Sequence, residues 1–184
     1  MSDLATKPNV VLPPYINTWT RYMAGLTIRS LNGGNVTPPQ PSINWTANYA
    51  LFVPLWLPWP YPIKRVFVGN GTGLRNLVDI GIYTPGGARI FSLGGVAGGG
   101  AGGNIDYKSV DWRLDPGGYL FAISTSHTSS RFIGSALTAP IGRPAGLLQQ
   151  TSGGYPLPAS ATFAAYDATV GLPVMGFTLL PSGF

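Results

Sequence analysis

His127 is the only histidine of the chain, and it lies among serines in a pattern that could serve nucleophilic catalysis. A serine hydrolase needs a serine, a histidine that takes its proton and an aspartate that orients the histidine. Serine is also common in loops, because its hydroxyl hydrogen-bonds to nearby backbone groups. We therefore interpret this segment as a polar loop and predict no catalytic residue. The serines that flank His127 are Ser124, Ser126, Ser129 and Ser130.

Paired carboxylates are a second pattern that could carry out a reaction, since two of them can hydrolyse a glycosidic bond. Asp111 could pair with Asp115 or with Asp106. Asp115 directly precedes Pro116, however, at a position where an aspartate side chain starts a turn. Asp111 is expected to face solvent beside Arg113. These carboxylates therefore have structural explanations, and we do not expect an enzyme.

Glycine-rich segments at 69–73 and 94–103 could cradle a phosphate group through backbone amides. A phosphate loop leads into a helix and carries a lysine followed by serine or threonine. Residues 74–77 lead directly into an expected strand instead. We interpret the first segment as a turn and the second as a flexible connection. With one histidine and no cysteine, the sequence predicts no metal site and no cofactor.

The composition indicates a folded chain that is poor in charge. Hydrophobic residues make up 45% of the 184 residues and charged residues only 9%. A surface with so little charge favours contact with other protein, so we expect an obligate assembly. The net charge is +5, but the basic residues are dispersed, so we do not expect nucleic-acid binding. The chain contains no run of about 18 apolar residues, as a membrane-spanning helix would need. Its N-terminal residues also lack the apolar region of a signal peptide, so we expect neither export nor a membrane partner.

The elements that would position these residues are β-strands. Residues 78–93 and 108–124 each consist of an alternating apolar run, a turn with proline and two glycines, and a second run. Proline sets φ at the first turn position, and glycine accepts positive φ. The two units therefore predict two β-hairpins, and the second places Val110, Trp112 and Leu114 in the core.

Other alternating segments complete an all-β chain. Residues 49–57 have one apolar face formed by every second residue, and Pro54 on the other face predicts an edge strand or a bulge. Further strands are expected at 22–31, 63–68, 132–139 and 175–179, with a loop at 140–158. About eight strands with many turns favour a jelly-roll-like antiparallel β-sandwich over residues 21–184. The residues of the apolar face are Tyr49, Leu51, Val53, Leu55 and Leu57.

Residues 1–20 read as an extended arm that precedes the sandwich. Pro8, Pro13 and Pro14 oppose helix and interior strand, yet the neighbouring side chains are too apolar to remain in water. The arm must therefore cover its own domain or bind a neighbouring subunit. The arm residues that we assign to such an interface are Val11, Leu12, Tyr15, Ile16 and Trp19.

A second candidate interface is an aromatic and proline-rich corner between two strands. Trp56, Trp59 and Tyr61 alternate there with Pro58, Pro60 and Pro62. Exposed aromatic rings favour protein interfaces, and they also stack on sugars. The sequence leaves open whether this corner is a subunit contact or a sugar platform.

The order of these strands resembles a small β-sandwich domain of virion structural proteins in tailed bacteriophages. The resemblance lies in residues 48–125 and rests on the segments 50–54, 67–71, 78–83 and 114–123. It implies a non-enzymatic decoration or cement protein on the capsid surface, or a tail-associated protein. The implied partners are further copies of the chain, most simply a trimer, and the major capsid protein or another virion protein. Synthesis in the host cytoplasm follows from the same resemblance.

The alternative function is a receptor-binding or carbohydrate-binding module of a tail or fibre. Such a module would place tryptophan and tyrosine on an exposed concave face. A sandwich hydrolase remains a third class, and it would need a clustered pair of acidic side chains.

Overall fold

The computed structural model describes residues 42–71, 77–98, 105–128, 130–135, 142, 146–167 and 170–178. The predicted arm at 1–20 and the strand expected at 22–31 lie outside the described residues. So do residues 99–104 of the glycine-rich connection and residues 136–139 of the strand expected at 132–139.

All elements with defined bounds in the described residues are β-strands, which confirms the predicted all-β class. The described residues contain thirteen strands, more than the eight expected, because several strands of two to four residues lie in segments that we predicted to be loops. Their bounds are β1 (Ser42–Asn44), β2 (Ala50–Leu57), β3 (Tyr61–Gly69), β4 (Leu77–Tyr83), β5 (Arg89–Ser92), β6 (Val96–Ala97), β7 (Ile105–Leu114), β8 (Gly117–Thr125), β9 (Arg131–Ser135), β10 (Leu148–Gln150), β11 (Ala164–Ala165), β12 (Leu172–Pro173) and β13 (Met175–Thr178).

The strands form three antiparallel sheets. The large sheet has the order β11-β10-β2-β8-β4-β5, with β6 paired to one end of β4. The second sheet, β13-β3-β7, packs against one face of the large sheet, and the main core lies between them. The third sheet, β1-β9-β12, adjoins the end of β3 at the bridge between Asn70 and Phe132. The fold is therefore an antiparallel β-sandwich, whereas the jelly-roll strand order stays a prediction.

Strand β2 contributes side chains to two separate hydrophobic cores, one on each of its faces. The odd-numbered residues predicted to share a face, from Tyr49 to Leu57, all pack in or against the main core. Ala50 and Phe52, on the opposite face, are buried as well, in a second cluster. Pro54 lies beyond Phe52, where β2 pairs with β8 but no longer with β10. A proline lacks the N–H that a strand partner needs, so it fits this edge-like half of the strand.

The first predicted hairpin is confirmed. Strands β4 and β5 pair antiparallel, and Gly81 faces Ser92 in the register. The turn between them is closed by a hydrogen bond of 2.8 Å from the Thr84 amide to the Ala88 carbonyl. Gly87 has a φ of +90°, a conformation that a residue with a Cβ rarely adopts.

The second predicted hairpin is wrong. Strand β7 pairs with β3, whereas β8 pairs with β2 and β4, so the two strands lie in different sheets. The turn at Asp115 and Pro116 is therefore a connection across the sandwich. Turn residues favour a reversal of the chain, but they do not decide whether the two strands pair with each other.

The loop predicted at 140–158 contains strand β10, which pairs with residues 50–52 of β2. After β10 the chain runs across the outer face of the large sheet, and we call residues 154–163 the crossing segment. Leu157, Ala161 and Phe163 of this segment cover Phe52 and its neighbours. Gly81 permits the close approach, because a Cβ there would lie 2.8 Å from the Leu157 Cδ1.

The crossing segment is fixed by polar contacts to β4 and β5. The Tyr83 hydroxyl donates a hydrogen bond of 2.6 Å to the Pro158 carbonyl, and the Arg89 amide donates one of 2.9 Å to the Ala159 carbonyl. The Arg89 guanidinium also donates to the Leu157 carbonyl. Burial raises the pKa of Tyr83 above its usual value.

Asp79 on β4 is fully buried and is the polar centre of this contact. Its carboxylate accepts hydrogen bonds from the Ser92 hydroxyl at 2.8 Å, from the Gly94 amide at 3.1 Å and from the Leu157 amide at 2.9 Å. The Asp79 side chain thus connects β4 with Ser92 at the end of β5, with Gly94 just after it, and with the crossing segment.

We predict that Asp79→Ala lowers the free energy of unfolding by about 2–3 kcal/mol. The substitution leaves the buried Leu157 amide unpaired, at about 1–3 kcal/mol, and it removes an acceptor of the Ser92 hydroxyl, whereas the exposed Gly94 amide still donates to Ser92 Oγ. Urea denaturation monitored by tryptophan fluorescence measures the change. Asp111→Ala is the matched control, because Asp111 is exposed and pairs only with Lys64 at the surface, which predicts about 1 kcal/mol or less. Equal losses in both variants would contradict the role assigned to Asp79.

Strand β7 has the predicted alternation but a shallower burial. Ser109, Asp111 and Arg113 are exposed, and Leu114 is buried. Val110 and Trp112 are half-buried, so the prediction that they are core residues is corrected. The reason is that β7 lies at the edge of its sheet, where the ring of Trp112 stacks on Phe91 of β5, with centroids 5.1 Å apart and planes at 5°.

We predict that Trp112→Ala costs about 2–3 kcal/mol, less than the roughly 3–5 kcal/mol of a fully buried tryptophan. A double-mutant cycle with Phe91→Ala should give a coupling of about 0.5–1.5 kcal/mol for the stacked pair. Chemical denaturation of the parent, both single variants and the double variant supplies the four values. Strictly additive losses would show that the stack contributes nothing beyond burial.

Candidate interaction surface

The aromatic–proline corner, residues 56–62, connects the two sheets at one end of the sandwich. Only Pro58, Trp59 and Pro60 separate β2 of the large sheet from β3 of the second sheet. The other connection, at Asp115 and Pro116, runs beside it, since Leu57 pairs with Gly117 and Tyr61 with Leu114. Two short connections with prolines thus cross between the sheets side by side.

This end of the molecule is held in place from inside. Leu57 and Leu114, the strand residues next to the two connections, are both buried. The Tyr119 hydroxyl donates a hydrogen bond of 2.8 Å to the Asp115 carbonyl. Because the prolines fix φ and the strand ends are anchored, the corner presents its side chains in a defined geometry.

Trp56 is 49% exposed and lies on the outer face of the large sheet. A Cβ added to Gly118 on β8 would lie 3.6 Å from Trp56 Cε3 and 3.8 Å from Pro85 Cγ, so both side chains border Gly118. Pro54, two residues earlier on the same strand face, is also exposed. Trp56 is therefore supported from below by backbone and bordered by prolines.

Trp59 and Tyr61 have different environments. Trp59 lies at the tip of the corner and is 54% exposed. Tyr61 is half-buried, and its ring packs edge-on against Phe177 with centroids 5.3 Å apart. Burial raises the pKa of the Tyr61 hydroxyl. Of the three aromatic residues predicted at this interface, Trp56 and Trp59 are therefore about half-exposed, and Tyr61 mainly anchors the corner.

The predicted arm residues Val11, Leu12, Tyr15, Ile16 and Trp19 lie outside the described residues.

The candidate catalytic carboxylates are separated by the strand that carries them. Asp106 is buried and forms an ion pair of 3.1 Å with Lys108, whereas Asp111 points to solvent on the opposite face of β7. His127 is exposed between β8 and β9. Within the described residues, no three side chains of histidine, cysteine, aspartate or glutamate lie close enough to hold a metal ion.

The sequence did not single out Pro85 and Gly118 as part of this surface. They come from the β4–β5 turn and from β8, far from residues 56–62 along the chain. Only the register that places Trp56 opposite Gly118 brings them together. No local signal in the sequence could have found them.

No protein-family model matches this chain, and no match was found among curated proteins or among solved structures. In the part of the chain that the structure describes, no helix is long and apolar enough to cross a membrane.

We predict that Trp56→Ser and Trp59→Ser each lower the free energy of unfolding by about 1–2 kcal/mol, because about half of each side chain is exposed and contributes nothing to burial. Trp45→Ala is the control, because Trp45 is 2% exposed and packs edge-on against Phe132 at 5.2 Å, and it should cost about 3–5 kcal/mol. Urea denaturation followed by circular dichroism measures all three. A large loss for either surface variant would mean that the corner serves the core rather than a partner.

Proposed function

We propose that the protein is a non-enzymatic virion structural protein that decorates and stabilises the outside of a bacteriophage capsid. It acts as a homo-oligomer, most simply a trimer, and it attaches to the major capsid protein or to another virion protein. Its place is the capsid surface, after synthesis in the host cytoplasm. The resemblance of residues 48–125 to virion β-sandwich domains suggests this class of protein.

The observation that carries the proposal is the pair of half-exposed tryptophans on the anchored corner. Tryptophan is enriched at the centres of protein interfaces, where charged residues are depleted. The corner and the strand before it carry no charged residue from position 48 to position 63. Such a surface is suited to a stable contact with protein.

The size of the contact fits a protein that binds in many copies. Burying the exposed half of a tryptophan contributes about 3 kcal/mol at roughly 25 cal/mol per Å². Two such side chains give only a modest affinity after the entropic cost of association. Several such modest contacts between subunits close an oligomer, and its copies together attach tightly to a repeating surface.

A carbohydrate-binding or receptor-binding module of a tail or fibre is the second candidate. It is favoured by Trp56, whose ring is supported by Gly118 and exposed on the other side, as in a stacking platform for a sugar. A sugar site also needs polar groups for the hydroxyls. Residues 50–60 carry no polar group in their side chains other than the indole N–H of Trp56 and Trp59, so we favour the protein contact.

The proposal predicts that the purified chain is an oligomer that coats phage capsids lacking it. Light scattering measures the mass, and co-sedimentation with purified capsids measures the occupancy. Trp56→Ser/Trp59→Ser should reduce occupancy at least tenfold, while the exposed control Ile90→Ser should bind like the parent. A monomer that leaves the capsids bare would contradict the proposal, and binding on a glycan array that both tryptophan substitutions abolish would favour the second candidate.

A further inference from the structure

We propose that the aromatic–proline corner of one copy binds residues 8–19 of the neighbouring copy. The inference deepens the proposed function and rests on its premise that the protein assembles from several copies. It names the partner of the corner and makes this end of the sandwich the contact between subunits.

The corner has the chemistry of a receptor for an extended, proline-containing segment. Domains that bind such segments use exposed aromatic rings, between which the prolines of the ligand insert. Trp56 and Trp59 are both about half-exposed, on a short turn that contains Pro58 and Pro60. The half-buried Tyr61 fixes the base of the corner against Phe177.

Residues 8–19 have the complementary composition. The segment reads Pro-Asn-Val-Val-Leu-Pro-Pro-Tyr-Ile-Asn-Thr-Trp and contains no charged residue. Prolines at 8, 13 and 14 restrict the unbound chain, so binding an extended conformation costs less conformational entropy. Residues 56–62 carry no charge either, although the exposed Arg113 and Asp115 lie beside them, opposite Pro62 and in the adjacent connection. An uncharged segment therefore meets the aromatic rings without needing a charged partner.

The neighbouring copy is the partner because the proposed function requires an assembly, and the positions of the chain ends are compatible with such a contact. Strand β8 begins at Gly117 beside the corner and ends at Thr125, whose carbonyl accepts a hydrogen bond of 3.2 Å from the Asn48 amide. Strand β3 likewise runs away from the corner to Gly69, next to the sheet that contains β1. The chain before Ser42 therefore starts at the end of the sandwich opposite the corner. Nine residues of strand separate the two ends by about 30 Å.

That separation suits a head-to-tail arrangement of copies. In such a contact, the end of one subunit that carries Ser42 faces the corner of the next subunit. If the rotation between successive subunits brings the last one back to the first, the subunits form a closed ring. Residues 20–41 supply the link, because 22 residues span up to roughly 75 Å when extended and about 26 Å on average when flexible. Each corner of a closed trimer would then receive one arm.

A mixing experiment with two full-length variants tests this arrangement. The corner variant, Trp56→Ser/Trp59→Ser, keeps an intact arm, and the arm variant, Leu12→Asp/Ile16→Asp, keeps an intact corner. We expect each variant alone to be monomeric by light scattering at micromolar concentration, with self-association weakened at least tenfold. Mixed in equal amounts, they should form a one-to-one heterodimer, since one intact arm then meets one intact corner.

The controls distinguish this contact from general damage. Ile90→Ser removes an exposed apolar side chain outside the corner, and Asn32→Asp/Asn35→Asp adds two charges outside the arm; both should assemble like the parent. Circular dichroism checks that every variant retains the fold. Oligomers of the parent that survive in either test variant, or a mixture that stays monomeric, would overturn the inference.

A labelled peptide of residues 8–19 gives an independent measurement. Fluorescence anisotropy should show that it binds the arm variant, whose corner is free, and that it binds the corner variant at least tenfold more weakly. Equal binding to both would also overturn the inference. No capsid is used here, so a failure of arm binding is separate from a failure of capsid decoration.

Discussion

The large sheet must be covered on both faces, and most of the architecture follows from that constraint. Strand β2 is apolar on both sides along its first half, so neither face can remain in water there. The second sheet covers one face and forms the main core. The crossing segment covers the other face, and the buried carboxylate of Asp79 holds it there by accepting a hydrogen bond from the buried Leu157 amide.

The same constraint explains why the corner is exposed. The crossing segment covers the outer face near Phe52, but Pro54 and Trp56 lie further along β2, outside the second cluster. The surface that remains is apolar and supported by backbone on β8. A face that is apolar, uncharged and fixed in shape is suited to a protein contact, which is why the proposed assembly depends on this end of the sandwich.

Several features of this surface are predictable from the sequence and others are not. The prolines between Trp56 and Tyr61 identify the corner directly, because they exclude regular strand pairing and leave aromatic rings between them. Its neighbours Pro85 and Gly118 depend on the register of β2 with β8 and on the turn of another hairpin. The role of Asp79 was equally unpredictable, because nothing in the neighbouring sequence indicates that an aspartate between two apolar strand residues is buried.

The sequence alone determined the strands with clear alternation and the side of each strand that faces inwards, because successive side chains point to opposite faces whatever the partner strand is. It also determined the β4–β5 hairpin, whose turn chemistry and pairing are both local. Tertiary structure decided which strands pair across long distances. Residues 115–116 carry the same turn signals as a hairpin, yet β7 pairs with β3 and β8 pairs with β2 and β4. The partner strands lie far away along the chain, and no local signal encodes such a choice.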